Sequence, residues 1–314
     1  MKSAKPILVT GSHRSGTTWT GQMLAAAPHT AYVHEPFNSE LRLGLSPSSF
    51  EQTFKYISES ESEEYQRWFK RVLAFHYPLL RNFTRSRSVD DLLKLINKQS
   101  YYWGHKLRKN RPIVKDPIAI FSAEWIHGHF DTDVLVMIRN PNSFCSSLKI
   151  KNWNFNFGYF LEQPLLMERY LSRYAQEIGE YATTRKPVIE QASLLWNCIH
   201  ATILTLQQNH PDWLFIKHEE LSLEPLAQFK AIYQAFDLEF TAEVEAKILQ
   251  SSGAHNPVEQ QQDNEFVRDS KQNIDNWKKR LSAEEIALIE TRTAEISTVL
   301  YPGKSWSAAA TDES

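Results

Sequence analysis

The segment Pro6–Leu24, PILVTGSHRSGTTWTGQML, opens with a short apolar run, passes through a glycine-bracketed loop and then starts a helix. Backbone N–H groups in such a loop turn inward, and the positive end of a helix follows. Together they form a cradle for a phosphate-like anion. Gly11-x-x-x-x-Gly16 has the spacing of a P-loop, but Thr17-Thr18 stands where Lys-Ser/Thr is expected. Nucleotide triphosphatases need that lysine on the outer phosphates. This chain carries its cation inside the loop, at Arg14. The expected ligand is therefore an adenylate-type anion whose reactive group lies close over the loop, and not ATP.

The surrounding chain narrows the class. Its 314 residues and 42% hydrophobic content can supply the core of one large α/β domain. The net charge of −2 argues against nucleic acid as a partner. Two cysteines, Cys145 and Cys198, are too few for a disulfide framework and read as buried small residues. No apolar run approaches a membrane span, and no signal-peptide core precedes Ile7. A cytoplasmic protein is the expectation, with peripheral membrane attachment left open.

Apolar runs at Pro6–Thr10, Ala31–His34, Ile113–Lys115, Asp133–Ile138 and Trp213–Lys217 read as strands. Helical spacing at Thr17–Ala27, Leu165–Thr183, Ala192–Asn209, Pro225–Phe236 and Ala242–Ser251 separates or follows them. Ser282-Ala-Glu-Glu285 is a capping box opening a last helix to about Leu300. This alternation predicts a three-layer α/β sandwich of P-loop type, with a mostly parallel sheet between helices. One domain over residues 1–306 is expected, with a helical insertion over 46–110 and a disordered tail at 307–314. Within the insertion, Phe50, Phe54 and Ile57, and again Leu92, Leu95 and Ile96, have helical apolar spacing. The insertion is expected over one end of the sheet, on the acceptor side. Asn256–Glu265 is polar and Gln-rich and reads as a loop.

A second segment carries chemistry. In Val134–Lys149, VLVMIRNPNSFCSSLK, a strand ends at Arg139, Asn140-Pro141 turns, and a helix begins near Asn142. Arg139 at a strand's carboxyl end faces the crevice where open α/β sheets bind ligands. Ser147 lies two helical turns on, with Ser143 one turn before it on the same face. Arginine and hydroxyls near a helix N-terminus suit a second phosphate.

Taken together, GSHRSGTTW and VMIRNPNSFCSS resemble the sulfotransferases that use 3′-phosphoadenosine 5′-phosphosulfate (PAPS). The resemblance continues at LFIKHEELSLEPLAQF, from Leu214, and FVRDSKQNIDNWKKRLSAEE, from Phe266. It implies that Gly11, His13, Arg14, Ser15, Gly16, Thr17 and Thr18 hold the 5′-phosphosulfate, and that Arg139 and Ser147 hold the 3′-phosphate. Arg14 would stabilise charge developing on the leaving oxygen. Trp19 matches a position that stacks the adenine in cytosolic relatives, with plain core packing as the alternative. Lys115, in Ile113-Val-Lys115-Asp116-Pro117, would contact the sulfuryl oxygens. The cytosolic RKG triplet becomes Arg268-Asp269-Ser270, so Arg268 alone remains to clamp the 3′-phosphate.

Sulfuryl transfer to a hydroxyl requires a base. Cytosolic relatives place a histidine two residues beyond the lysine, where this chain has Pro117. The resemblance to carbohydrate and tyrosyl-protein sulfotransferases points instead to Glu35, in His34-Glu35-Pro36-Phe37, with His34 and Asp116 as rivals. No metal is implied. The acceptor is expected to be a hydroxyl, on a carbohydrate or glycoconjugate. The aromatic stretch Asn152–Phe160 either meets that acceptor or forms core. Arg67, Lys70, Arg71, Arg81, Arg85 and Arg87 either attract an acidic acceptor or form a solvated cationic face. A P-loop kinase and a non-catalytic nucleotide-binding protein are the competing readings.

Overall fold

The structure is a computed structural model that describes residues 5–47, 49–253 and 272–304. Five strands, β1 (Ile7–Gly11), β2 (Thr30–His34), β3 (Arg111–Lys115), β4 (Asp133–Ile138) and β5 (Leu214–Lys217), form one sheet in the order β2-β3-β1-β4-β5. Every pairing is parallel, with Ile7 opposite both Ile113 and Asp133, and Gly11 opposite Met137. Successive strand residues point to opposite faces. Leu8, Val33, Val114, Val134 and Val136 accordingly enter one core cluster. Ile7, Val9, Ile113, Leu135 and Met137 enter the other. A sheet buried on both sides explains the near-continuous apolar runs that made these strands legible.

Helix α1 (Thr17–Leu24) follows β1, and α2 (Ser62–Leu73), α3 (Leu79–Thr84) and α4 (Val89–Arg108) follow β2. A 3-10 turn (Pro117–Ser122) and α5 (Ala123–Phe130) lead from β3 to β4, and α6 (Pro141–Ile150) leaves β4. The chain runs outward from β1 toward β2 and outward from β4 toward β5. The crevice beyond the carboxyl ends of these neighbouring central strands is therefore a topological switch point, the place where such sheets bind ligands. Among the described residues no helix is long and apolar enough to cross a membrane.

Several expectations shift. Phe50, Phe54 and Ile57 are buried as their spacing implies, but their segment is not helical. Side chains from elsewhere bond its backbone instead: Gln163 Oε1 accepts from Tyr56 N at 2.8 Å and Ser122 Oγ accepts from Ile57 N at 3.0 Å. Tertiary partners thus replace the helical bonds those groups would have made. Helix α4 forms as the spacing implies, with Leu95 buried and Leu92 and Ile96 exposed. Helix α4 also runs beside the sheet edge. The Tyr101 hydroxyl accepts from Tyr32 N and donates to Tyr32 O, both at 3.0 Å, covering part of the open edge of β2. The helical pattern of 165–183 is interrupted by a π turn (Met167–Leu171) and a 3-10 turn (Ser172–Tyr174). The Ser282 capping box forms as expected, its hydroxyl accepting from Glu285 N at 3.3 Å and Glu285 Oε2 accepting from Ser282 N at 2.8 Å. The loop expected at 256–265, the tail at 307–314 and Arg268 lie outside the described residues.

Candidate active site

The β1–α1 loop holds its shape through backbone conformation. Gly11 has φ 129°, and a Cβ there would lie 2.2 Å from the Met137 carbonyl oxygen. Gly16 has φ 84°, and its Cβ would lie 2.6 Å from His218 Nδ1. Both positions require glycine, one for β1–β4 contact and one for the close approach of the helix that begins at His218. Arg14 adopts a left-handed φ of 62° between them. Ser15 Oγ donates to the Ser12 carbonyl, closing the turn.

The two anion motifs meet here. Arg14 Nε donates to Ser147 Oγ at 2.7 Å, and Arg139 donates from Nη1 to the Arg14 carbonyl. Ser143 lies on the same side of α6, but it is engaged elsewhere: its amide donates to Asn140 Oδ1 at 2.7 Å and its hydroxyl to the Ile274 carbonyl at 3.3 Å.

The turn after β4 is held by side chains distant in sequence. The Trp196 indole donates to the Arg139 carbonyl at 2.9 Å. Glu219, buried, accepts at Oε1 from Asn140 N at 3.1 Å and Asn140 Nδ2 at 2.9 Å. Its Oε2 accepts from the Tyr301 hydroxyl at 2.9 Å. Glu219, Tyr301 and Trp196 were not anticipated from sequence. Each bonds its partner across 57 to 82 residues, with no spacing pattern to signal it.

On the other flank of β1, Glu35 follows the end of β2 at φ 41°, its amide bonded to the Lys115 carbonyl at 2.8 Å. Its carboxylate forms an ion pair with buried Lys115 and accepts from Asn38 Nδ2 at 2.7 Å. Burial pushes the Glu35 carboxyl up, but the Lys115 charge and hydrogen bond outweigh it and leave the pKa lowered. Gly21 in α1 makes room for this lysine, since a Cβ there would sit 2.9 Å from Lys115 Cβ. Asp116 is turned to structure: its oxygens accept from Phe37 N at 2.6 Å and Ile118 N at 3.2 Å. Burial and then the Glu35 charge push its carboxyl up to about 8. His34 has a half-exposed side chain 4.0 Å from Glu35, and partial desolvation followed by the Lys115 charge lowers its pKa to about 4.

His13 is buried against Phe144 and Trp153, with ring centroids at 4.9 and 4.8 Å. Burial and the Arg14 charge hold it neutral, with a pKa near 3. Trp19 sits in the second core cluster, edge-on to Phe229, and its Nε1 donates to Ser251 Oγ at 2.9 Å. Within Asn152–Phe160 the phenylalanines pack into the core around Phe54, whereas Trp153 is exposed at the site.

A cavity of about 340 Å³ unites these groups. Arg14, Gly16, Thr17, Thr18, Arg139, Glu35, Asn38, Trp153 and His218 are among the residues that line it. Gly11, Ser15, Lys115 and Ser147 are not among the lining residues. A site with two arginines and a carboxylate paired to a lysine can bind a multiply charged anion and accept a proton beside it.

A structure described as the sulfotransferase domain from the curacin biosynthetic pathway superposes with a TM-score of 0.51 at 15% identity, covering 94% of this chain and 97% of its own. The sulfotransferase domain of the Synechococcus PCC 7002 olefin synthase gives 0.43 at 15% identity, covering 93% and 96%. Sulfotransferase STF9 from Mycobacterium avium gives 0.42 at 16%, covering 95% and 77%. A search among curated proteins finds no match. The profile described as the sulfotransferase family matches residues 6–242, from β1 to the start of the helix Ala242–Ser252, and the chain therefore belongs to the sulfotransferase family.

Proposed function

We propose that this sulfotransferase takes its sulfuryl group from PAPS and passes it to a hydroxyl on a carbohydrate or glycoconjugate. The observation that carries this reading is the junction of two anion motifs at one cavity, through Arg14 to Ser147 and Arg139 to the Arg14 carbonyl. Two separated phosphate-binding elements at one cavity suit a nucleotide phosphorylated at both ends. A cavity of about 340 Å³ falls within the range of small-molecule sites.

The donor, when bound, supplies an activated sulfuryl group on a phosphate leaving group. The chain's own residues divide the remaining work. The loop from Gly11 to Thr18, with His13 contributing backbone, cradles the 5′ end. Arg139 and Ser147 hold the 3′-phosphate, and Trp19 borders the adenine side. Arg14 is released from Ser147 to neutralise the leaving oxygen, where a fixed cation acts mostly in the transition state. Lys115 turns from Glu35 toward the sulfuryl oxygens. Its departure removes the charge that lowers the Glu35 pKa, so burial then raises the basicity of Oε1 as it takes the acceptor proton. Asn38 holds Oε2 throughout. Glu35 is preferred to His34 because Glu35 lines the cavity and His34 does not, and to Asp116 because both Asp116 oxygens bond backbone amides. The exposed Trp153 face beside Asn38, Ser39 and Thr53 supports a sugar acceptor.

Calorimetry should show 3′,5′-bisphosphoadenosine binding without metal and ATP–Mg²⁺ binding far more weakly; the reverse order would favour the kinase reading. Glu35→Gln should lower kcat about 10²- to 10⁴-fold while leaving 3′,5′-bisphosphoadenosine affinity nearly unchanged. Normal turnover by that variant would remove Glu35 from the mechanism.

A further inference from the structure

Large apolar side chains exposed to solvent are not scattered over this protein. Among the described residues seventeen are exposed, and ten of them lie between Leu79 and Leu107, on α3 and α4. In α4, Val89, Leu93, Ile96, Trp103 and Leu107 recur at intervals of three, four or seven residues, so they form one stripe. Val89 is 72% exposed, Leu107 71% and Trp103 60%, and Leu80 and Phe83 of α3 add 84% and 61%. The packed face of α4 is a different one, marked by Asp91, Leu95 and Tyr102. The result is an outward ridge along a helix about 30 Å long.

The charge around that ridge identifies its counterpart. Residues 79–109 carry eight Lys and Arg against two Asp, a net of +6 in a chain whose net charge is −2. Asp91 is buried and paired with Arg42 at 2.6 Å, which leaves Asp90 as the exposed acid of the segment. Arg87, Lys94, Lys106, Arg108 and Lys109 are exposed around it. Self-association through this face would oppose two like-charged surfaces. An anionic counterpart is favoured, and an exposed ridge of Leu, Ile, Phe and Trp flanked by Lys and Arg suits an apolar layer beneath anionic headgroups.

We propose that the α3–α4 ridge docks this protein on an anionic lipid surface, its apolar stripe entering the headgroup boundary and its Lys and Arg side chains reaching the phosphates. Cosedimentation of the full chain with vesicles tests this independently of donor or acceptor. Binding to phosphatidylcholine vesicles containing about 30% phosphatidylserine should exceed binding to pure phosphatidylcholine by about tenfold or more, and about 0.5 M NaCl should weaken it. Leu93→Gln with Trp103→Gln should reduce that binding about tenfold, with an unchanged thermal melt showing intact folding. Lys106→Glu with Arg108→Glu should reduce it comparably. Failure to bind either vesicle would overturn the proposal and point to an acidic protein instead. Unchanged binding by both double variants would also overturn it. So would a dimer in sedimentation velocity that the Gln substitutions dissolve, which would assign the ridge to a second copy of the chain.

Discussion

The two segments proposed to bind anions reach the same cavity by different physical means. The β1–α1 loop is shaped by its own backbone, with three residues at positive φ between Gly11 and Gly16 and a helix beginning at Thr17. The β4–α6 turn has ordinary backbone and is pinned from outside, by Trp196 on the Arg139 carbonyl and Glu219 on the Asn140 amide. Damage to the first should therefore be local and steric. Damage to the second should travel through hydrogen bonds that can be removed one at a time.

The largest effect is expected in the first segment. Gly11→Ala forces a Cβ to within 2.2 Å of the Met137 oxygen at a φ of 129° and should destabilise the fold by roughly 3 kcal/mol or more. A thermal melt near that of the wild type would show the loop to be less backbone-determined than claimed. Arg14→Ala should lower kcat about 10²- to 10³-fold, the scale for losing a fixed electrostatic group, with a smaller effect on donor affinity. Equal losses in kcat and affinity would make Arg14 a binding group only.

The second segment should respond in graded fashion. Glu219→Ala leaves the Asn140 amide without its acceptor, at a cost of about 1–3 kcal/mol, and should weaken 3′,5′-bisphosphoadenosine binding about tenfold or more. Glu219→Gln should recover most of this, because one oxygen can still accept from Asn140. Tyr301→Phe should cost least, about 1 kcal/mol. If the Ala variant bound 3′,5′-bisphosphoadenosine normally, the turn would not depend on its outside supports.

The flank that carries Glu35 adds a pH test. The Glu35 pKa is lowered in the folded protein, so the ion pair's contribution to stability is fully present above the unfolded carboxylate pKa of about 4.3. It is lost as pH falls through the lowered folded value. Lys115→Met removes the opposing charge and leaves burial, so the acid limb of the rate profile should move to higher pH by about 1–3 units. An unmoved limb would show that the limb does not report Glu35.

Legibility follows the same division. The strands, the loop glycines and the capping box at Ser282 are local requirements of backbone or periodicity, and each was readable where it stood. The segment around Phe54 misled because Gln163 and Ser122 satisfy its backbone from 65 to 107 residues away. The face of α4 that meets the core was not legible, because periodicity locates a stripe without saying which stripe is buried. Glu35 and Lys115 could be named one by one, but their pairing depends on β2 and β3 lying side by side, with His34 opposite Lys115.

The amino-acid sequence alone determined the α/β alternation, the two anion motifs and the family, because these rest on short-range rules of backbone conformation and burial. The tertiary structure decided how the motifs are joined, which buried carboxylate supports the turn and which is left beside the cavity, and where the apolar surplus of α4 is displayed. Those are pairings between distant residues, and only the folded arrangement brings their atoms within hydrogen-bonding reach.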